Sequence, residues 1–207
     1  MVTLAAPSNG TTAYDLNNDK SFDASAVEVP EKYIKLGKMM AMGTKAEDDG
    51  RIADDHAAYD MHIDNAMEMN RNITTFDNTY YFAYSCSVTT PDKNGVAVPD
   101  PSITEALYMR SAILMGHYTG KTAGGYTIDD SWLSNDGLVN TVSAKTPSSA
   151  PGKAYSPDEK LESGIWYEMP TITGDHMYFQ GGMTKRVKIK PFYNELLQMI
   201  TSLEKQA

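Results

Sequence analysis

Two kinds of apolar run recur along the chain, short continuous stretches closed by turn residues and longer stretches with helical spacing. Val2 to Ala6 is of the first kind, closed by Pro7-Ser8-Asn9-Gly10, the pattern of a buried parallel strand ending in a turn. It opens directly after Met1 with no helix or loop leading in, so a further segment is expected upstream. Thr11 to Val29 is polar and turn-rich, a loop with at most one helical turn. Pro30-Glu31-Lys32 then starts a helix, with Tyr33, Leu36 and Met40 at helical spacing. Met39, Met40 and Met42 follow on its apolar side and suit an adaptable surface as well as a core. Gly43 to Asp55 is polar and acidic, and Tyr59 through Met69 predicts another helix. Asn78 to Val88, aromatic and β-prone between polar flanks, predicts a strand. Glu105 to Met115 predicts a helix after a Pro-rich loop that ends near Pro101. Gly120 to Pro157 reads as a long loop, of the length that tends to carry function. Pro191-Phe192 to Lys205 predicts an amphipathic helix, with Phe192, Leu196, Ile200 and Leu203 on one stripe and Asn194, Gln198 and Lys205 opposite. Strands separated by helices, with the functional-looking loops between them, predict an α/β fold.

At 207 residues with 41% hydrophobic positions, the chain suits a single domain with an ordinary core. A net charge of -9 argues against a nucleic-acid partner, because nonspecific affinity for phosphates comes from clustered Lys and Arg. The one basic cluster, Lys185 to Lys190, reads as a solvated loop or strand edge before the last helix. The single cysteine, Cys86, excludes an intramolecular disulfide and a CxxC motif, and is expected to pack as a small hydrophobe. No apolar run is long enough to span a bilayer, and the opening residues lack the charged region and apolar core of a signal peptide.

Hydrolysis of the triad kind needs a nucleophile, an imidazole that takes its proton and a buried carboxylate that holds the imidazole. Asp136, in the turn-forming Ser134-Asn135-Asp136-Gly137, and His176, in Gly174-Asp175-His176, fall on late loops in the order acid then base. By spacing alone, each equally fits a plain turn or loop residue. No Gly-x-Ser-x-Gly occurs, although Ala6-Pro7-Ser8-Asn9-Gly10 follows a strand and gives its relaxed form. Against Ser8 as nucleophile, Pro7 imposes its own φ on a turn that must be strained, and no strong helix follows. His56 and His62 lie among Asp54, Asp55, Asp60 and Asp64, a set that could bind a metal or simply stabilise a helix start. His117 stands alone and reads as a helix-end residue.

These residues carry a resemblance. Ile128 to Ser143, containing Leu133-Ser134-Asn135-Asp136-Gly137, resembles the segment bearing the catalytic aspartate in the large secreted triacylglycerol lipases of Gram-positive bacteria, the staphylococcal and thermophilic bacillar type. Gly164 to Met169 leading to Asp175-His176 is similar to their stretch ending in the catalytic histidine, Asn78-Thr79-Tyr80-Tyr81 to the strand ahead of it, and Phe192-Tyr193 to part of the last helix. The resemblance implies the C-terminal portion of an α/β-hydrolase fold over 1–207, with a lid-like segment at about 29–70. It implies catalytic roles for Asp136 and His176, and a serine carried by an N-terminal half outside these residues, since Val2 to Thr12 is similar to the strand that comes after the nucleophile elbow. An acyl-ester or lipid substrate, contact with a lipid surface and a secreted parent protein follow as expectations. Asp55, four residues before Tyr59 of Tyr59-Asp60, aligns with a zinc-ligand aspartate whose partner ligands would lie in the other half, so any zinc site here is incomplete. Calcium is not expected, because Tyr178 and Met183 stand where the family places carboxylates after its histidine. Two rival readings are a noncatalytic module that keeps the surface to bind lipid or a partner, and a self-sufficient hydrolase using Ser8.

Overall fold

A computed structural model describes residues 1–16, 19–43 and 57–204. The elements in chain order are β1 (Val2–Leu4), α1 (Thr12–Asp15), α2 (Glu31–Gly43), α3 (Ala57–Asp60), α4 (Ile63–Asn70), β2 (Tyr81–Tyr84), β3 (Cys86–Ser87), β4 (Thr89–Pro91), β5 (Ala97–Pro99), α5 (Met109–Met115), β6 (Gly120–Lys121), β7 (Thr127–Ile128), β8 (Gly152–Ala154), β9 (Trp166–Glu168), β10 (Ile172–Thr173) and α6 (Lys190–Glu204). Four of the strands form one parallel sheet in the order β1-β2-β9-β8.

β2 shows why the aromatic run forms a strand buried on both faces. Phe82 and Tyr84 point to one side, where Ala5, Tyr167, Met169, Phe179 and the α6 residues Leu196 and Leu203 close the main core. Tyr81 and Ala83 point to the other side and pack with Trp166. The register sets Tyr81 beside Trp166 and Phe82 beside Tyr167, with ring centroids 5.0 and 5.7 Å apart. Such cross-strand aromatic pairs are the unit of sheet stabilisation. The α6 stripe covers the first face as its periodicity predicts, with Phe192 meeting the Tyr84 ring edge-on at 5.1 Å. A second core gathers Leu16, Ile63, Leu114, Met115, Tyr118, Ile128 and Trp132 among α4, α5 and the loops beside them.

Several elements differ from the sequence expectation, each for a tertiary reason. The strand expected over 78–88 is divided at the buried Ser85, with β3 pairing with β10 in a separate parallel ladder. Hydrogen bonding nonetheless runs on through the break, from Met169 N–H to the Ala83 carbonyl and from Ile172 N–H to that of Ser85. The helix expected over 59–69 is two, because His62 is extended and the buried Asp15 carboxylate accepts the first N–H of α4, from Ile63, at 2.9 Å. The helix expected from Glu105 starts at Met109. Inside the expected long loop, β8 joins the main sheet; its three residues, Gly-Lys-Ala, carry no strand pattern and are recruited by the backbone groups of β9.

Buried side-chain amides hold the rest of that loop. Asn140, fully buried, accepts through Oδ1 from the Thr12 N–H at 2.9 Å and donates through Nδ2 to the Thr12 hydroxyl and the Trp132 carbonyl. Asn9 does the same one turn away, donating to the Thr146 carbonyl at 2.9 Å and accepting from the Ser148 N–H at 2.7 Å. Asn140→Ala leaves buried backbone groups of Thr12 and Trp132 without partners and is expected to cost about 3 kcal/mol of stability, read as a lowered midpoint in urea denaturation.

Candidate active site

Asp136 is positioned by its own turn. Asn135 and Asn140 bridge across it, and the Asp136 N–H donates to the Val139 carbonyl at 3.0 Å. Asp136 Oδ1 accepts the N–H groups of Leu138 and Val139 at 2.9 and 2.7 Å, leaving Oδ2 as the free acceptor of a carboxylate that is 1% exposed. Gly137 closes the turn at φ +97, and a Cβ there would lie 2.7 Å from the Tyr108 Cβ, so glycine is required twice over. The Asn-Asp-Gly sequence forms the turn it predicts, and the turn is what aims the carboxylate.

His176 arrives from the other direction. It follows β10, past Gly174, whose N–H donates to the Ser87 carbonyl and where any Cβ would collide with the Tyr178 ring at 2.5 Å. The His176 N–H donates to the Asp136 carbonyl at 2.9 Å, and its Nδ1 lies 3.0 Å from Asp136 Oδ2. An ionised carboxylate only accepts, so this pairing assigns the proton to Nδ1 and leaves Nε2 as the basic nitrogen. About a quarter of the side chain, 26%, is exposed, and the Tyr108 ring meets the imidazole edge-on. Burial by itself lowers the imidazole pKa. The Asp136 hydrogen bond and charge, joined by the charge of Asp175, more than offset this and hold it above the ordinary value.

Two further carboxylates lie beside the pair, and sequence reasoning gave them no role. Asp175, 4% exposed, accepts from the Glu105 N–H at 2.7 Å and the Met177 N–H at 3.0 Å. Burial raises its pKa, and the charges of Glu105 and Asp136 add to that against the two hydrogen bonds. Its adjacency to His176 was the only signal available. Glu105 is also buried, with its carboxylate turned to the backbone of 183–185. A lone glutamate in an expected helix start gives no hint of that.

The other candidates do not join the pair. Ser8 sits in a tight turn, its N–H donating to the Ala6 carbonyl at 2.8 Å and its carbonyl accepting from Asn70 Nδ2 at 2.8 Å. Among the described residues no hydrogen bond links it to His176. The left-handed non-glycine backbone after β1 is at Ala5, with φ 49, rather than at Ser8. His62 pairs with Asp15 at 3.1 Å, and His117 Nδ1 lies 2.8 Å from the Ile113 carbonyl at the end of α5. Cys86 is buried in the main core, where burial pushes its thiol pKa up. Asp55 and His56 lie outside the described residues. Among the described residues no group of three or more His, Cys, Asp or Glu could hold a metal ion.

A parallel sheet with a helix packed on one face and a buried Asp–His pair on loops beyond its strands is the C-terminal part of an α/β-hydrolase-like fold. The family model of the lipase-like, C-terminal domain matches residues 45–206, and the chain belongs to that family. It is 26% identical over 231 residues to a lipase of Staphylococcus hyicus, covering 99% of this chain and 34% of that protein. It is 24% identical over 238 residues to lipase 1 of Staphylococcus aureus, covering 99% of this chain and 32% of that protein. The chain thus spans about a third of the length of the curated relatives it matches. Its fold matches the crystal structure of the S. hyicus lipase with a TM-score of 0.72 at 22% identity, over 99% of this chain and 57% of that one.

Two outcomes follow from this geometry. Gly137→Ala is expected to destabilise the chain by about 2 kcal/mol, through a strained backbone and the contact with Tyr108, measured by urea denaturation. Because the folded-state pKa of His176 is raised, the pair's contribution to stability is full below the ordinary imidazole value and is lost as pH rises through the raised folded value. Urea midpoints of the wild type and Asp136→Asn measured across that window should therefore converge as pH increases. A constant gap would show that the charge pair is not what the substitution removes.

Proposed function

We propose that this chain supplies the acid and the base of a serine-type triad in a carboxylic ester hydrolase acting on lipid-like acyl esters, with Asp136 as the acid and His176 as the base. The observation that carries the reading is the pairing of Asp136 Oδ2 with His176 Nδ1 at 3.0 Å while Oδ1 is occupied by two backbone N–H groups. That arrangement holds one tautomer and one ring orientation, and it stabilises the imidazolium that forms when Nε2 takes a proton from a nucleophile. The same nitrogen then gives that proton to the leaving alcohol's oxygen as the acyl-enzyme forms, and in the second half of the cycle it takes a proton from the attacking water and returns it to the serine oxygen as the acid departs. Membership of the lipase-like C-terminal domain family supports the reaction class, and the lipase names of the staphylococcal relatives support the substrate class.

The nucleophilic serine in this reading belongs to a Gly-x-Ser-x-Gly segment outside these 207 residues, which contain no such motif. Residues 29–70 are assigned the lid. In support, Tyr33 of α2 packs with Met109 and Ile113 of α5, immediately after Tyr108, whose ring edges His176. A lipid surface that drew α2 away would thereby disturb the neighbourhood of the base. A zinc role for Asp55 adds nothing to the triad chemistry and is not used.

The test is hydrolysis of a short-chain p-nitrophenyl ester. The 207-residue chain by itself is expected to give no turnover above background. Combined with the segment carrying the Gly-x-Ser-x-Gly motif it is expected to turn over, with Asp136→Asn and His176→Ala each losing on the order of 10⁴-fold in kcat. The rate of the combined protein should fall as pH drops through the raised His176 value, because protonated Nε2 cannot act as base. Turnover by the chain alone that disappears in Ser8→Ala would replace this reading with a hydrolase that uses Ser8.

A further inference from the structure

Beyond Gly174, whose N–H makes the last bond to β3 at Ser87, the backbone that carries His176 leaves the sheet, so the position of the imidazole has to be set by something other than strand pairing. Glu105 meets that segment twice. Its carboxylate, in a residue only 3% exposed, accepts through Oε1 from the N–H groups of Met183 at 2.9 Å, Thr184 at 2.6 Å and Lys185 at 2.8 Å, and through Oε2 from the Thr184 hydroxyl. Three successive N–H groups converging on one anion form a backbone nest, and hydrogen bonds to an ionised acceptor are roughly twice as strong as neutral ones. The Glu105 N–H in turn donates to Asp175 Oδ2 at 2.7 Å, next to the histidine itself.

The loop between these two anchors is closed on itself. Gly182 N–H donates to the Met177 carbonyl, and Val187 N–H to that of Gly181, both at 2.9 Å. Glu105 is also tied to the other member of the pair, since its carbonyl accepts the Tyr108 N–H at 2.9 Å, and Tyr108 packs both against the Gly137 turn and edge-on to the imidazole. One residue therefore touches the segment before His176, the segment after it, and the residue packed beside both the imidazole and the Gly137 turn.

We infer that Glu105 is a positioning residue of the Asp136–His176 pair: by holding Asp175 through its N–H and 183–185 through its carboxylate, it sets the register at which Nδ1 meets Asp136 Oδ2. The inference deepens the triad reading and rests on it for its catalytic meaning, although the geometry it concerns is that of the imidazole alone. Burial pushes the Glu105 carboxyl up, but its four donors pull it further down. It is thus held below the ordinary glutamate value and is an anion wherever His176 can act as a base. Asp175 and Asp136 are the other carboxylates in the group, and each is occupied by its own N–H donors.

The experiment is nuclear magnetic resonance on the full 207-residue chain, reading the His176 imidazole directly. In Glu105→Gln the low-field Nδ1 proton signal is expected to be lost, and the His176 titration midpoint to fall back toward the ordinary imidazole value. A merely local brace gives another result: amides 183–185 exchange faster while the Nδ1 signal and the titration remain those of the wild type, and that outcome overturns the inference. Should Glu105→Gln not fold, Thr184→Val, which removes one donor and keeps the shape, decides the matter. A smaller downward shift of the midpoint supports the inference, and an unmoved midpoint sinks it. Ester hydrolysis that survives His176→Ala would remove the triad reading and leave this measurement standing.

Discussion

The parallel pairing of β2 with β9 is the contact on which the site depends. These strands are separated by more than eighty residues of chain, and the cross-strand aromatic pairs Tyr81–Trp166 and Phe82–Tyr167 bring them into register. Parallel strands end on the same side, so the chain leaving β3 and the chain leaving β10 emerge together. The Val88 N–H then reaches the Asn135 carbonyl, and Gly174 reaches Ser87, which places the Asp136 turn and the His176 loop against one edge. Ligands in open α/β sheets bind at the carboxyl ends of the strands for this reason. Here the same geometry delivers the Asp–His pair.

Regular structure does little to hold the residues around Asp136; side-chain amides and hydroxyls do it instead. Asn140 and Asn9 supply the donors and acceptors that a sheet would otherwise provide to the backbone between 132 and 148, Asn9 reaching in from the turn after β1 and Asn140 reaching out to Thr12 of α1. Ser143 adds its hydroxyl to the Gly10 carbonyl, and Asn135 gives its amide to the carbonyls of Ala112 and Leu133. A buried polar network of this kind is specific only when every member is satisfied, and then it fixes one conformation. The long segment is thus an ordered scaffold for a single carboxylate.

Two buried carboxylates, Asp136 and Asp175, lie beside the imidazole and a third, Glu105, braces the loop behind it, and each offsets the cost of burial by collecting backbone N–H groups. Glu105 and Asp175 differ in ionisation because their donors differ. Glu105, with four donors, is held low, whereas Asp175, with two donors and two acidic neighbours, is pushed up by burial. The charges of Asp136 and Asp175 favour an imidazolium at His176. The net charge of the chain has a local counterpart at this point.

The sequence by itself determined the elements whose pattern is local: the presence of an aromatic strand within 78–88, the amphipathic stripe of α6 and the turn at Ser134-Asn135-Asp136-Gly137. Hydrophobic period and turn chemistry act over a few residues, so one dimension suffices to show them. Only the tertiary structure decided that Gly152 to Ala154 is a strand, that Asp15 divides the helix expected over 59–69, and that Glu105 braces the loop after His176. Each of those depends on a partner some 14 to 80 residues away. A carboxylate or an unpatterned tripeptide carries no record in its own neighbourhood of the N–H groups it will meet, because that meeting is set by the packing of the sheet.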